Sequence, residues 1–162
     1  MARRVFFSFH YDRDVMRVMQ VRNSWVARPG DTAPPFYDKA AFEEAKRRAG
    51  GIERRIEEQL AGTSVTAVLY GRETYQRDWV LHEIRRSHAL GKGIIAIDIH
   101  RVRDPRNGTD AAGQNPLGHV TTMRGGYQTP LSNIYPSYDW VLGDGYRNIG
   151  TWVENAARAV GR

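Results

Sequence analysis

The first candidate for chemistry in this 162-residue chain is a carboxylate that follows a tryptophan by four positions. Trp79 and Glu83 are one helical turn apart, so in a helix their side chains share one face. A carboxylate beside an indole can be held in a cleft from which water is partly excluded. The competing interpretation is that Trp79 belongs to the core and that Glu83 is a solvated surface carboxylate paired with Arg86 or Ser87. Both interpretations fit the spacing.

A second group of candidates follows from where ligands bind in open α/β sheets. They bind outside the carboxyl ends of the strands, near the point where the strand order reverses. This rule selects two stretches of the chain and one loop: Ser8, Phe9, His10 and Tyr11, then residues 71–79, then the loop that begins at His100.

Several common chemistries are excluded by residue type and spacing. The chain has no Cys, which removes thiol catalysis, Cys-ligated zinc and iron–sulfur clusters. None of the five histidines forms a pair at metal-ligand spacing on one helix face, so we expect no metal in the site. No GxGxxG follows the first strand and there is no GxxxxGK[ST], so neither usual phosphate cradle is present.

Apolar patterning predicts the elements that must position these residues. Continuous apolar runs predict strands, and apolar spacings of three and four predict helices that start at Asp12 or Asp14 and at Asp78. The alternation of strand and helix predicts parallel βαβ units and a small doubly wound sheet. The predicted strands are 3–9, 63–70, 93–99 and an edge strand at 138–142, and the predicted helical faces are Val15/Val18/Val21/Trp25, Ile52/Ile56/Leu60, Trp79/Val80/Ile84/Leu90 and Ile149/Trp152/Val153/Ala156/Val160.

The segment from His100 to Pro136 has no periodicity and is rich in Gly, Pro, Asn and Thr. A connection of that length inside a compact domain is often functional. We expect it to cover the carboxyl edge of the sheet as a lid or specificity loop, with Asn115 as its polar contact to substrate. The alternative is a surface excursion that only covers an edge strand.

Composition bounds the class of protein. We expect residues 1–162 to form one globular domain with a loop-rich insertion at about 100–136. Between residues 43 and 58 four arginines are interleaved with five glutamates, a pattern typical of a solvated helix face: Arg47, Arg48, Arg54 and Arg55 with Glu43, Glu44, Glu53, Glu57 and Glu58. We therefore expect no dedicated nucleic-acid surface despite the net charge of +6. No apolar run is long enough to span a membrane or to form a signal-peptide core, which predicts a cytoplasmic protein.

Four stretches of the chain together carry a family resemblance: Arg4–Tyr11, Phe36–Asp38, Thr63–Leu69 and Tyr75–Glu83, the last with its Trp four residues before the Glu. They resemble TIR domains, and the whole is most similar to the TIR-like ThsB proteins of the bacterial Thoeris antiphage system. The resemblance implies a flavodoxin-like α/β fold with helices on both faces of a parallel sheet.

For enzymatic members, the resemblance implies cleavage of the nicotinamide–ribose bond of NAD, which is substrate and not cofactor. The product would be an ADP-ribose-derived, cyclic signalling nucleotide that activates a downstream effector. Glu83 matches the family's catalytic Glu and Trp79 would exclude water, while the other substrate-binding candidates are Ser8, Phe9, His10, Tyr11, Asp38 and Asn115. Two alternatives stay open: a non-catalytic assembly module that acts by self-association, and an enzyme that processes other nucleosides.

Overall fold

A computed structural model of the protein describes residues 3–26 and 51–162. At its centre is a parallel sheet of four strands: β1 (Val5–Ser8), β2 (Val65–Tyr70), β3 (Gly93–Asp98) and β6 (Ser137–Asp139), in the order β1-β2-β3-β6. In the register, Val5 lies beside Val65, which lies beside Gly93. The parallel α/β sheet predicted from the sequence is confirmed. Strand order does not reverse within the described residues.

Side chains of the central strands point alternately to the two faces of this sheet, and helices cover both faces. The described helices are α1 (Tyr11–Val26), α2 (Gly51–Ala61), α3 (Asp78–Ala89) and α4 (Gly145–Ala159). On one face α1 and α4 pack against the odd-numbered residues Val65, Ala67, Leu69, Ile95 and Ile97. On the other face α3 packs against the even-numbered residues Val68, Tyr70, Ile94 and Ala96.

Helix ends differ from the sequence prediction at two places. Helix α1 begins at Tyr11, so Asp12 and Asp14 lie inside its first turn and neither caps it. Likewise, Arg77 precedes α3 and Asp78 is its first residue. An Asp in the first turn still favours the helix, because its charge interacts with the positive end of the helix dipole.

The apolar face of α3 also differs from the prediction. Leu90 is 37% exposed and stands at the helix end, outside the packed face. The chain turns there because Gly91 adopts a φ of +69°, a left-handed conformation that glycine accepts without steric cost. The residues that α3 buries against the sheet are Val80, Glu83, Ile84 and Ser87.

The segment 100–136 contains more regular structure than its composition suggests. It forms two short 3₁₀ helices, 116–119 and 131–133, and an antiparallel hairpin of β4 (Thr121–Arg124) and β5 (Tyr127–Pro130). Leu117, Val120 and Leu131 anchor it in the core beside α3. Short elements of three or four residues leave too little periodicity to be seen in sequence.

Two further sequence predictions concern the segment at residues 36–38 and the absence of a membrane span. Phe36–Asp38, and with it the candidate Asp38, lies outside the described residues. Within the part of the chain that the structure describes, no helix combines the length and apolar character that crossing a membrane requires.

Candidate functional site

Glu83 projects from the buried side of α3 and is only 3% exposed. The helix is fixed to the sheet one turn further on, where Ser87 donates to the Glu83 carbonyl oxygen at 2.8 Å and its Oγ lies 2.7 Å from Oγ1 of Thr66 on β2. Trp79 is half-buried one turn before Glu83 and packs against the core. Glu83 therefore lies on the buried side of α3, and Trp79 lies one turn before it, half-buried against the core.

This burial rules out the interpretation of Glu83 as a solvated surface carboxylate. Arg86, its proposed partner, forms an ion pair with Glu57 at 2.5 Å. Ser87 bonds to the backbone oxygen of Glu83 and not to the carboxylate. Burying a carboxylate costs free energy, because the charge loses its hydration. The burial of Glu83 therefore calls for an explanation that a solvated surface residue would not need.

A buried lysine lies within electrostatic reach of this carboxylate. Lys92 is 1% exposed; its Nζ contacts Oγ1 of Thr63 and lies 5.5 Å from the centre of the Phe6 ring. Burial lowers the pKa of Lys92 to about 7 and nearby Arg162 adds to that effect, while the negative charge of Glu83 opposes it. The interior beneath α3 thus holds opposite charges that influence each other.

The carboxyl end of β1 presents the second group of predicted residues. Ser8 is fully buried, and neither its Oγ nor Nδ1 of His10 has a hydrogen-bond partner among the described residues. Phe9 and Tyr11 lie with ring centres 6.0 Å apart. Burial and the charge of Arg77 lower the pKa of His10, so its imidazole is largely neutral at neutral pH.

The loop from residue 71 to residue 77 meets this end of β1. Arg77 and Glu73 both act electrostatically on His10, and they form an ion pair with each other at 3.6 Å. Arg13 of α1 lies 3.6 Å from the same Glu73 carboxylate. The structure therefore brings the His10 end of β1 and the loop that leads into α3 together, as the strand-end rule predicts.

The loop after β3 reaches the same edge of the sheet. Gly113 lies so close to the loop after β2 that a Cβ at this position would overlap the carbonyl oxygen of Gly71 and come within 2.8 Å of Cα of Arg72. Asn115 follows, and its Oδ1 accepts from the backbone N–H of Leu117 at 3.0 Å. Asn115 therefore caps the 116–119 helix, a role that sequence reasoning missed although Asn before Pro is a common helix start.

A third polar group stands at the ends of β3 and β6. Potential ligand atoms of Asp98, His100 and Asp139 lie within 4.8 Å of one another. Oδ1 of Asp98 is 2.6 Å from Nδ1 of His100, while Asp139 accepts from the side chain of Arg101 and from two backbone amides. These contacts already occupy most of the carboxylate oxygens. The expectation that the site holds no metal stays a prediction.

Sequence reasoning also missed a buried polar network behind the site. Asp14 is 0% exposed and bonds to Thr74, while Arg17 is 3% exposed and bonds to carbonyl oxygens of the loop after β3. The signal was the three-residue spacing of Asp14 and Arg17, which places both on one face of α1.

A parallel sheet with helices on both faces, and a helix after β2 that carries Trp79 and Glu83, defines a TIR-like α/β domain. The family described as "Thoeris protein ThsB, TIR-like domain" matches residues 6–104. The protein named "Putative cyclic ADP-D-ribose synthase ThsB1" of Bacillus cereus (strain MSX-D12) is 33% identical over 193 aligned positions, which cover 94% of this chain and 100% of that protein. The chain belongs to the ThsB TIR-like family.

Proposed function

We propose that this protein cleaves the nicotinamide–ribose bond of NAD and converts the ADP-ribosyl part into a cyclic signalling nucleotide. The observation that carries the proposal is the buried carboxylate of Glu83, one helical turn after Trp79, in a chain of the ThsB family. The name of the Bacillus cereus relative, a cyclic ADP-D-ribose synthase, supports the same reaction class.

The chemistry suits a buried carboxylate. When the bond between C1′ of the ribose and the nicotinamide nitrogen breaks, its electron pair leaves with nicotinamide, which becomes neutral, and positive charge develops on the ribosyl group. A negative charge close to C1′ stabilises that transition state, and it does so more strongly where water is excluded. In this proposal Glu83 supplies the charge and binds ribose hydroxyls.

The fate of the ribosyl cation decides the product. Attack by a nucleophilic atom of the same molecule gives a cyclic nucleotide, whereas attack by water gives linear ADP-ribose. Trp79 and the aromatic residues Phe9 and Tyr11 form the apolar surroundings that would limit access of water. Ser8 and His10 offer polar atoms to the bound nucleotide.

The wider role follows from this reaction. We infer that the product activates a downstream effector in antiphage defence, and that the protein acts in the cytoplasm. Self-association of the chain is part of the same proposal. Neither membrane nor nucleic acid has a role in it.

A substrate panel tests the proposal. The purified protein is incubated over a range of protein concentrations with NAD, nicotinamide riboside or adenosine, and released base and nucleotide are separated by chromatography. We expect nicotinamide release and a cyclic product from NAD alone. Cleavage of adenosine would favour the general nucleoside-processing alternative, and no cleavage at any concentration would favour the assembly-module alternative.

A further inference from the structure

The carboxylate of Asp14 is enclosed between α1 and the loop that follows β2. Its Oδ2 accepts a hydrogen bond from Oγ1 of Thr74 at 3.3 Å, and the same Oγ1 accepts from the backbone N–H of Gly71 at 2.9 Å. A Cβ at residue 71 would lie 2.8 Å from both carboxylate oxygens. Thr74 and the glycine thus fit the 71–77 loop closely around this one side chain.

Arg17 extends the contact to the loop after β3. Its guanidinium lies 3.7 Å from the Asp14 carboxylate and donates to the carbonyl oxygens of Val102 at 3.0 Å and Gly108 at 2.9 Å. Asp110 completes the group, because its carboxylate lies 3.9 Å from Arg17. One turn of α1 therefore holds both loops that cover the carboxyl edge of the sheet.

One of the held loops lies beside His10, through Glu73 and Arg77, and the other is joined to it through Arg13. Asp110 forms an ion pair with Arg13 at 2.6 Å, and Arg13 also lies 3.6 Å from Glu73. The backbone N–H of Asp14 itself bonds to the carbonyl oxygen of His10 at 3.0 Å. A change in the position of Asp14 would consequently be transmitted to the end of β1 and to the residues beside it.

Burial of this network is not explained by packing alone. A buried ion pair costs desolvation free energy, and apolar residues of similar volume in its place are often neutral or stabilising. Its hydrogen bonds fix particular atoms of two loops relative to one helix, which an apolar contact would not do. The network therefore fixes the positions of loop atoms at the carboxyl edge of the sheet.

We propose that Asp14 is a positioning residue of the active site: through Thr74 and Arg17 it fixes the 71–77 and 102–110 loops against the end of β1, and so sets the shape of the NAD site beside His10. This inference rests on the proposed function. Asp14 itself takes no part in the chemical step.

Hydrogen exchange of the free protein tests the placement of the loops without reference to activity. Thr74→Val keeps the shape of the side chain and removes the hydroxyl that joins Gly71 to Asp14. One hydrogen bond contributes about 1 kcal/mol net. Its loss therefore predicts roughly fivefold faster exchange in residues 71–77 and unchanged exchange in α4. Asp14→Ala should speed exchange in both loops, and the control Asp12→Ala, at an exposed carboxylate on the same turn, should leave both unchanged.

Kinetics with NAD test the link to the site. We expect Thr74→Val and Asp14→Ala to raise KM by roughly five- to tenfold with a smaller change in kcat, because a misplaced loop weakens binding. Asp14→Asn should recover part of that loss, since its amide oxygen still accepts from Thr74.

Three results separate the possible failures. Unchanged exchange in both loops of the variants overturns the inference, whatever the activity. Faster exchange with an unchanged KM also overturns it, because the loops would then not shape the site. If the wild-type protein does not cleave NAD, the proposed function fails on its own, and exchange alone decides whether Asp14 fixes the loops.

Discussion

Asp14 should make the stability of the protein depend on pH in a direction opposite to that of most carboxylates. Burial raises the pKa of Asp14 from 3.8 to about 6, and the positive charges of Arg13 and Arg17, together with the Thr74 hydrogen bond, only partly offset that effect, while Asp110 adds to it. A pKa that is higher in the folded than in the unfolded state means that the folded state binds the proton more tightly. The stabilisation by that proton is complete below pH 4 and is lost as the pH rises through 6.

The size of the effect follows from the two pKa values. The full difference corresponds to about 3 kcal/mol of unfolding free energy. At pH 7.5 almost none of it remains, because Asp14 is ionised in both states, whereas at pH 5 about 1.4 kcal/mol is present. At a urea m-value of about 2 kcal/mol/M, this moves the unfolding midpoint by about 0.7 M.

Asp14→Asn isolates the contribution, because asparagine does not titrate. Lys92 titrates in the same window with the opposite sign, since burial lowers its pKa to about 7 and the protein loses stability as that lysine gains a proton. Lys92 is present in both proteins, so its effect cancels when urea midpoints of wild type and variant are compared at pH 5 and pH 7.5. We expect the wild type to gain about 1.4 kcal/mol relative to the variant on going to pH 5.

Two outcomes would contradict a raised pKa of Asp14 in the folded protein. Parallel midpoints at both pH values would mean that Asp14 does not titrate between them. A relative loss of wild-type stability at pH 5 would mean that attraction to Arg13 and Arg17 outweighs desolvation.

Three further predictions follow from the site and its surroundings. Asn115→Ala removes the cap of the 116–119 helix and should cost about 1 kcal/mol of unfolding free energy in urea titration; if the loop also shields the ribosyl intermediate, chromatography will show less cyclic and more linear product. A chelator should leave the rate of nicotinamide release unchanged, and a metal-restored rate would contradict this. Binding to DNA or RNA should be weak and lost by roughly 0.15 M salt, whereas tight, sequence-selective binding at that salt would contradict the interpretation of the basic charge.

Much of the fold could be predicted because β1, β2 and β3 are largely apolar runs, whereas the short strands β4, β5 and β6 contain no such run. Val65–Tyr70 is buried along its whole length, and the four-residue spacing of Ile56 and Leu60 on α2 is equally clear in sequence. The position of Glu83 one turn after Trp79 depends only on helix geometry. Its burial did not follow from spacing, because that depends on what the sheet presents to the helix.

The buried network could not be predicted for a related reason. Asp14 and Asp12 have the same residue type in the same helical turn, yet one is buried and the other is exposed. The difference arises from the start of α1 at Tyr11, which turns Asp14 toward Gly71, a glycine 57 positions later in the chain. The spacing of Asp14 and Arg17 shows that they share one face of α1, but the contacts with distant residues that bury this face leave no local pattern in the sequence.

The proposed cleavage of NAD depends on the carboxylate of Glu83, and the variant Glu83→Gln shows whether it does. The amide keeps the shape of the side chain and removes the charge that stabilises the ribosyl cation. Nicotinamide release is measured for wild type, for this variant and for the control Glu58→Gln, at an exposed position on α2, with thermal unfolding recorded for all three. We expect Glu83→Gln to remain folded and to release no nicotinamide, while the control keeps full activity; release at the wild-type rate from folded Glu83→Gln protein would show that this carboxylate is not needed for the cleavage.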